Sequence, residues 1–291
     1  MKVTLDCLVC FIRQAYRSAK IATSDPEIQR QILISVGAEL QNMDMSLSPA
    51  ELSQFIYEIT AKLSGKSDPY LEEKRQQNEL AMSVEEELRG IRDHSENPLL
   101  TALLLSAAGN IIDLGILKTE DIDIHTAIEQ ALTLHFAVNH FEQFQKDLRT
   151  AKQLLFFLDN AGEIVFDKIL IEELQKYVEV TAVVKGTPII NDACMEDAIT
   201  VGLDKVCNVI PMERGWIGAP WRQLSSDLRK RMEEADIIIG KGQGNYETLD
   251  DYPGNVYLLL KAKCSVVAEH MGVKEGEIGF LSPRKQRANH H

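Results

Sequence analysis

Near residue 152 the chain begins to alternate short, unbroken apolar runs with stretches of helical length, and few architectures accept that pattern. Leu154–Leu158, Val178–Val184, Val206–Ile210, Ile237–Ile239 and Val256–Leu260 are strand candidates, rich in β-branched residues and free of proline. Their hydrophobicity is continuous rather than alternating, which suits strands covered on both faces and hence a parallel sheet. Residues 1-150 read instead as helical. Ser48-Pro49-Ala50-Glu51 is a capping box with proline at the first helical position, and Gly65 is a suitable stop. Between them Leu52, Phe55, Ile56, Ile59 and Leu63 mark one apolar face at helical spacing. Asn97-Pro98 opens PLLTALLLSAAGNIIDLG, a helix apolar on most sides and so expected near the centre. The expected fold class is α/β. It comprises a multihelical domain over 1-150 and a Rossmann-like three-layer α/β/α domain with a mainly parallel sheet over 151-291.

Charge narrows the partners. Lys plus Arg total 31 against 44 for Asp plus Glu, a net charge of −13, which argues against nucleic acid and against a polybasic membrane surface. No run reaches the ~18 apolar residues of a membrane span, and MKVTLDCLVC lacks a signal-peptide layout. The expected location is cytoplasmic. Five cysteines, Cys7, Cys10, Cys194, Cys207 and Cys264, are an odd number that speaks for thiols rather than a disulfide framework.

In open α/β sheets ligands bind beyond the carboxyl ends of the strands, so the loops there carry the functional signal. After the first strand comes Asp159-Asn160-Ala161-Gly162-Glu163, which sets two oxygen-bearing side chains at a helix start. Such oxygens suit a hard cation like Mg²⁺, and free helix N–H groups suit a phosphate. Asp159 as a helix cap is the competing reading. After the second strand comes Lys185-Gly186-Thr187-Pro188-Ile189-Ile190-Asn191-Asp192-Ala193, where Asp192 again stands at an expected helix start. Two successive acidic loops favour a shared cation over two caps. After the fourth strand comes Gly240-Lys241-Gly242-Gln243-Gly244-Asn245-Tyr246-Glu247. It is neither a Walker A loop nor a dinucleotide fingerprint, yet lysine between glycines favours phosphate contact. Lys261 and Lys263 share a face if the last strand extends that far. Asn110 and Asp113, three apart at the end of the apolar helix, project together.

Taken in order, the motifs resemble the damage-control metal-dependent phosphatases, formerly a domain-of-unknown-function family numbered 89, in its prokaryotic CxxC-containing group. The resemblance spans nearly the whole chain. It rests on Cys7-x-x-Cys10 followed by Arg13-Gln14-Ala15, Asp68-Pro69-Tyr70 with Lys74 and Asn78, Gly109-Asn110 with Asp113, then DNAGE, IINDA, GKGQGNYE and AKC. It implies a divalent metal ion (Mg²⁺, Mn²⁺, Co²⁺ or Ni²⁺) held by Asp159, Asn160 and Asp192. It also implies phosphate contacts from Lys241, Gly242, Gln243, Gly244, Asn245 and Lys263, with Asn110, Gly162 and Glu163 completing the substrate side. Cys194 departs from the family pattern, where a hydroxyl residue is expected.

The expected reaction is hydrolysis of a phosphomonoester, a small phosphorylated metabolite, with Asp159, Asp192, Asp113 and Lys241 as the catalytic set. Asp113 and Asp192 are the two candidates for orienting the attacking water. A covalent route through Asp159 is disfavoured, because Asp159-Asn160-Ala161 lacks the second carboxylate of an Asp-x-Asp motif. Two alternatives come from other classes. Cys7-x-x-Cys10 supplies half a zinc site or a redox dithiol, with a buried metal-free pair as the plainer outcome. An S-adenosylmethionine-dependent methyltransferase is the other, although DNAGE lacks the second glycine expected there. The sequence carries no signal for oligomeric state.

Overall fold

All five predicted strands form, with ends within two residues of those expected. The computed structural model describes residues 1–111 and 124–288. Helices α1 (Leu5–Ala22), α2 (Pro26–Glu39), α3 (Pro49–Ser64), α4 (Leu71–Ser83), α5 (Glu85–Asp93), α6 (Pro98–Ile111) and α7 (Ile124–Leu132) come first. They are followed by β1 (Val138–Asn139), α8 (Phe141–Leu148), β2 (Gln153–Phe157), α9 (Glu163–Leu174), β3 (Glu179–Val184), α10 (Met195–Thr200) and β4 (Asn208–Pro211). The chain ends with α11 (Ser226–Glu234), β5 (Ile237–Lys241), α12 (Gly242–Leu249), β6 (Val256–Lys261), α13 (Ser265–Met271), β7 (Ile278–Leu281) and α14 (Pro283–Ala288). The capping box forms as read: Glu51 N donates to Ser48 Oγ at 3.2 Å while the Glu51 carboxylate accepts from Ser48 N at 3.1 Å.

Among the described residues seven strands make one sheet in the order β1-β7-β6-β5-β2-β3-β4. Only β6 and β7 pair antiparallel; the other pairings are parallel. The chain leaves β2 toward β3 and β4, then returns to β5 on the other side of β2. The β2–β5 boundary is therefore a topological switch point, where the two crossovers diverge and leave a crevice.

Side chains of β2 show why its run is continuous. Leu154, Phe156 and Leu158 join the core on one face, with Phe166, Ile169 and Tyr257. Leu155 and Phe157 join the other, with Ile238, Leu258 and Met232. The period-two alternation thus meets apolar partners on both sides. Packing also runs across residue 150: Leu103 and Ala107 of α6 share the first core with Phe166 and Ile169 of α9. The two helices approach so closely that a Cβ on Gly109 would lie 3.1 Å from the Phe166 side chain. A separate apolar cluster, including Phe11, Ile32, Val36 and Ile56, ties α1, α2 and α3 together.

Several local expectations change. Gly240 and Lys241 are not a loop, since both continue β5 opposite Leu258 and Leu259 of β6. The following Gly242–Asn245 segment is the first turn of α12. β6 ends at Lys261, so Lys263 lies beyond the strand and does not share its pleat. Among the described residues, strands β1 and β7 are additions to the expected set. Asp113 lies outside the described residues.

Candidate active site

The acidic loops after β2 and β3 are joined before any ligand is considered. Ala193 N donates to Asp159 O at 2.8 Å, Ala161 N donates to Asn191 O at 2.8 Å, and Asn160 and Asp192 form an isolated antiparallel bridge. Asp159 and Asp192 consequently stand at one place, close enough that the Asp192 charge adds to burial in raising the proton affinity of Asp159. Neither is a helix cap. Helix α9 starts from Gly162, at φ 77°, with no side-chain cap bond. Helix α10 starts from Cys194, whose N–H is met by Asp197 at 2.9 Å. Ile190, two residues before Asp192, holds φ 47°, a left-handed conformation that costs energy for a β-branched residue. Asp192, two residues on, is buried.

Glu163 is the hub of the site. It is buried, and its Oε1 accepts from Asn160 Nδ2 at 2.6 Å and from Asn110 Nδ2 at 3.0 Å. Asn160 Nδ2 also reaches Asp159 Oδ2 at 3.1 Å. Asn110 Oδ1 accepts from Lys261 N at 3.3 Å, which anchors α6 to β6. Gly162, expected to offer its N–H to an anion, donates instead to Asn78 Oδ1 at 2.7 Å. Asn78 in turn donates to Asp197 at 2.9 Å, and Lys74 bridges Asp68 at 3.0 Å and Asp197 at 3.3 Å. This α4 network braces the loop from behind.

Two buried lysines flank the carboxylates. Lys185 Nζ lies 3.4 Å from Asp192 Oδ2 and donates to Gly218 O at 3.0 Å. Lys241 is fully buried; it binds Asp167 Oδ1, donates to Ser106 O at 3.1 Å and stands 3.9 Å from Glu163 Oε2. The ammonium of Lys241 is therefore committed inside the protein. Lys263 is exposed at the strand-end edge, its N–H donating to Gln243 Oε1 at 3.3 Å. Asn245 is buried and donates to Lys241 O at 2.7 Å and Leu158 O at 3.3 Å, so it ties β2 to β5. Gly242, at φ 75°, presses on the site: a Cβ there would fall 1.8 Å from Asp159 Oδ2.

Electrostatics follow from this crowding. Burial pushes the Asp159 carboxyl well above the usual carboxylate range, Glu163 and Asp192 push it further, and Lys263 and Lys185 oppose them. Burial likewise raises Asp192 to about 6 against the opposing pull of Lys185. Asp167 also rises to about 6 through burial, with Lys241 opposing. The cluster holds more carboxylates than ammonium groups, and a divalent cation would complete it. The donor set fits: Asp159, Asn160 and Asp192 bring two carboxylates and a carboxamide to one place, all oxygen donors of the type Mg²⁺ and Mn²⁺ accept. Among the described residues no three His, Cys, Asp or Glu side chains form a metal-holding group on their own, so the fit depends on Asn160. The same observation leaves Cys7-x-x-Cys10 without the further ligands of a zinc site. Cys7 is buried and Cys10 is exposed, so the two are not the buried pair expected.

Sequence reasoning assigned no role to Lys185, Ser106 or Asp167. The signal for Lys185 is its place directly after β3, the strand that pairs with Asp159's own β2. Asp167 carried a fainter one, four residues after Glu163 on a helix.

The chain matches the damage-control phosphatase ARMT1-like domain over residues 3–278. It is 32% identical over 282 residues to the damage-control phosphatase PH1575 of Pyrococcus horikoshii, covering 96% of this chain and 97% of that protein. A damage-control phosphatase of Archaeoglobus fulgidus is 34% identical over 284 residues, covering 96% and 98%. An uncharacterized protein, MJ0202 of Methanocaldococcus jannaschii, is 35% identical over 287 residues, covering 95% and 94%. The crystal structure of the P. horikoshii protein, described as a DUF89 family protein, superposes with a TM-score of 0.90 at 31% identity and covers 97% of this chain and 99% of that one. These matches favour neither a methyltransferase nor a redox module. With the acidic crevice at the sheet's switch point and a family match along nearly its whole length, the chain belongs to the damage-control phosphatase ARMT1-like family.

Proposed function

We propose that this protein hydrolyses small phosphomonoesters, in the manner of metabolite damage control, using a divalent cation held by Asp159, Asn160 and Asp192. The observation that carries the reading is the convergence of Asp159 and Asp192 on one crevice, released from capping and short of positive charge. When bound, a cation supplies charge neutralisation at the phosphoryl oxygens and a water of lowered pKa. The chain does the rest. Lys263, exposed at the rim, attracts the phosphate. The first-turn amides of α12, at Gly242, Gln243, Gly244 and Asn245, favour its negative charge. Lys241, with its ammonium on Asp167, contributes positive potential behind Glu163. Asp192 and Asp113 remain the two groups proposed to orient the attacking water. Glu163 fixes both neighbouring carboxamides.

The substrate is a small phosphorylated metabolite, with no role for nucleic acid; the site is a crevice among carboxylates, which repels a polyanion. No helix among the described residues is long and apolar enough to cross a membrane, and we propose a cytoplasmic location. The test is a screen of Mg²⁺, Mn²⁺, Co²⁺ and Ni²⁺ against a panel of phosphomonoesters. Phosphate release with at least one metal, lost in excess EDTA, is expected. Undiminished release in EDTA removes the cation from the proposal, and no release from any monoester removes the phosphatase.

A further inference from the structure

Asp167 lies one turn beyond Glu163 on α9, so the two carboxylates project from the same face. Ser106 and Asn110 stand in the same relation on α6, and the helices meet pair to pair. Asn110 Nδ2 donates to Glu163 at 3.0 Å, and Ser106 Oγ donates to Asp167 Oδ1 at 2.6 Å. The Lys241 ammonium enters between the pairs, bound to Asp167 and 3.9 Å from Glu163.

This arrangement is costly. Both Lys241 and Asp167 are fully buried, and Asp167 Oδ2 has no hydrogen-bond partner among the described residues. Apolar side chains of similar volume would hold α6, α9 and β5 together at least as well. What they would not do is govern Glu163. That carboxylate accepts from Asn160 Nδ2 at 2.6 Å, and the same nitrogen reaches Asp159 Oδ2 at 3.1 Å, so the amide oxygen turns away from both contacts. Asn160 can serve a cation only through that oxygen.

We infer that Asp167 is a positioning residue: it holds the Lys241 ammonium at a standoff from Glu163, so that Glu163 keeps Asn110 and Asn160 and Asn160 keeps its oxygen toward the cation. The inference rests on the proposed cation site. Without the Asp167 carboxylate, Glu163, 3.9 Å away, is the nearest anion to Lys241 among the described residues. The ammonium then closes on Glu163 and competes with both carboxamides for its oxygens.

The test is Mn²⁺ affinity by isothermal titration calorimetry, without substrate, for the wild type, Asp167→Asn, Lys241→Met and the double variant. Outer-shell partners of metal ligands typically carry about 10- to 100-fold in affinity, and a loss in that range is expected for Asp167→Asn. Adding Lys241→Met removes the freed ammonium and should recover most of the loss, a non-additive result that a purely structural role does not give. An Asp167→Asn affinity equal to wild type, or a double variant no better than the single one, overturns the inference. If Asp167→Asn does not fold, Ser106→Ala takes its place: it removes one donor to Asp167 without changing charge, and should weaken Mn²⁺ binding measurably. Unchanged affinity in that variant likewise overturns it. A wild type that binds Mn²⁺ yet hydrolyses no phosphomonoester sinks the phosphatase reading alone. A wild type that binds none of Mg²⁺, Mn²⁺, Co²⁺ and Ni²⁺ sinks both.

Discussion

The two ends of α9 carry the same residue types in opposite electrostatic states. At the carboxyl end, Glu172 accepts from Arg89 Nη2 at 2.8 Å and from Arg92 Nη1 at 2.7 Å. Burial works against its charge, yet those guanidinium bonds hold its carboxyl below the ordinary range. Glu173 beside it pairs with Lys176 at 2.6 Å. At the amino end Glu163 and Asp167 share one lysine, and Asp167 is pushed up to about 6. The helix dipole favours acids at that end, so the dipole is not what separates them. Supply of cations is. Carboxylates met by guanidinium forks fasten α5 to α9, whereas carboxylates crowded beyond their ammonium partners keep a negative charge that the described side chains do not balance.

The comparison can be broken most decisively at the crowded end of the crevice. Asp159→Ala or Asp192→Ala should lower the metal-dependent turnover of a phosphomonoester at least about a thousandfold, a loss of several kcal/mol of transition-state stabilisation. The metal-free melting temperature should hold or rise, because a carboxyl with raised proton affinity has been removed. Full activity in either variant ends the distinction. Glu172→Ala should behave in reverse, costing roughly 2 kcal/mol of unfolding free energy by leaving Arg92 without its best partner, with turnover per folded molecule unchanged. Chemical denaturation and kcat measured on the same sample check both halves. A turnover loss as deep as that of Asp159→Ala would show that the two ends are not separate.

The smallest effect sharpens the rule away from α9. Glu247 is buried, and burial pushes its carboxyl up to about 7, with Gln243 opposing. Folded pKa values above the unfolded ones mean stability that is full at low pH and is lost as pH rises through them. For Glu247, Asp167 and Asp192 that window runs from about 4 to about 7. The metal-free melting temperature should fall across it, and Glu247→Gln should flatten the fall by roughly 2–4 °C. A melting temperature that climbs over the same range would refute the assignment of these groups.

Legibility in the sequence followed the same physics. The five long strands could be read because both faces are covered, which leaves an apolar run nothing interrupts. β1, with only Val138 and Asn139, is too short for any period, and the four residues of β7 fit a helix end as readily. Asp159 was conspicuous because a carboxylate ends an apolar strand. Asp167 was not, because in EIVFDKILIEEL it reads as the polar side of an amphipathic helix, and only the seating of α6 puts it indoors. Lys241 looks like part of a loop because flanking glycines imitate a turn; pairing with Leu259 draws it into β5 instead. The order of the motifs along the chain carries the family resemblance without any geometry.

Gly242 gives the crevice a handedness. The volume a side chain would take at that position is filled by the Asp159 carboxylate, 1.8 Å from where the extra carbon would sit. Backbone therefore walls off one flank of Asp159, and whatever the carboxylate receives must arrive from the other. A single added methyl there would evict the carboxylate without touching its charge, so an alanine at residue 242 would mimic loss of the acid itself.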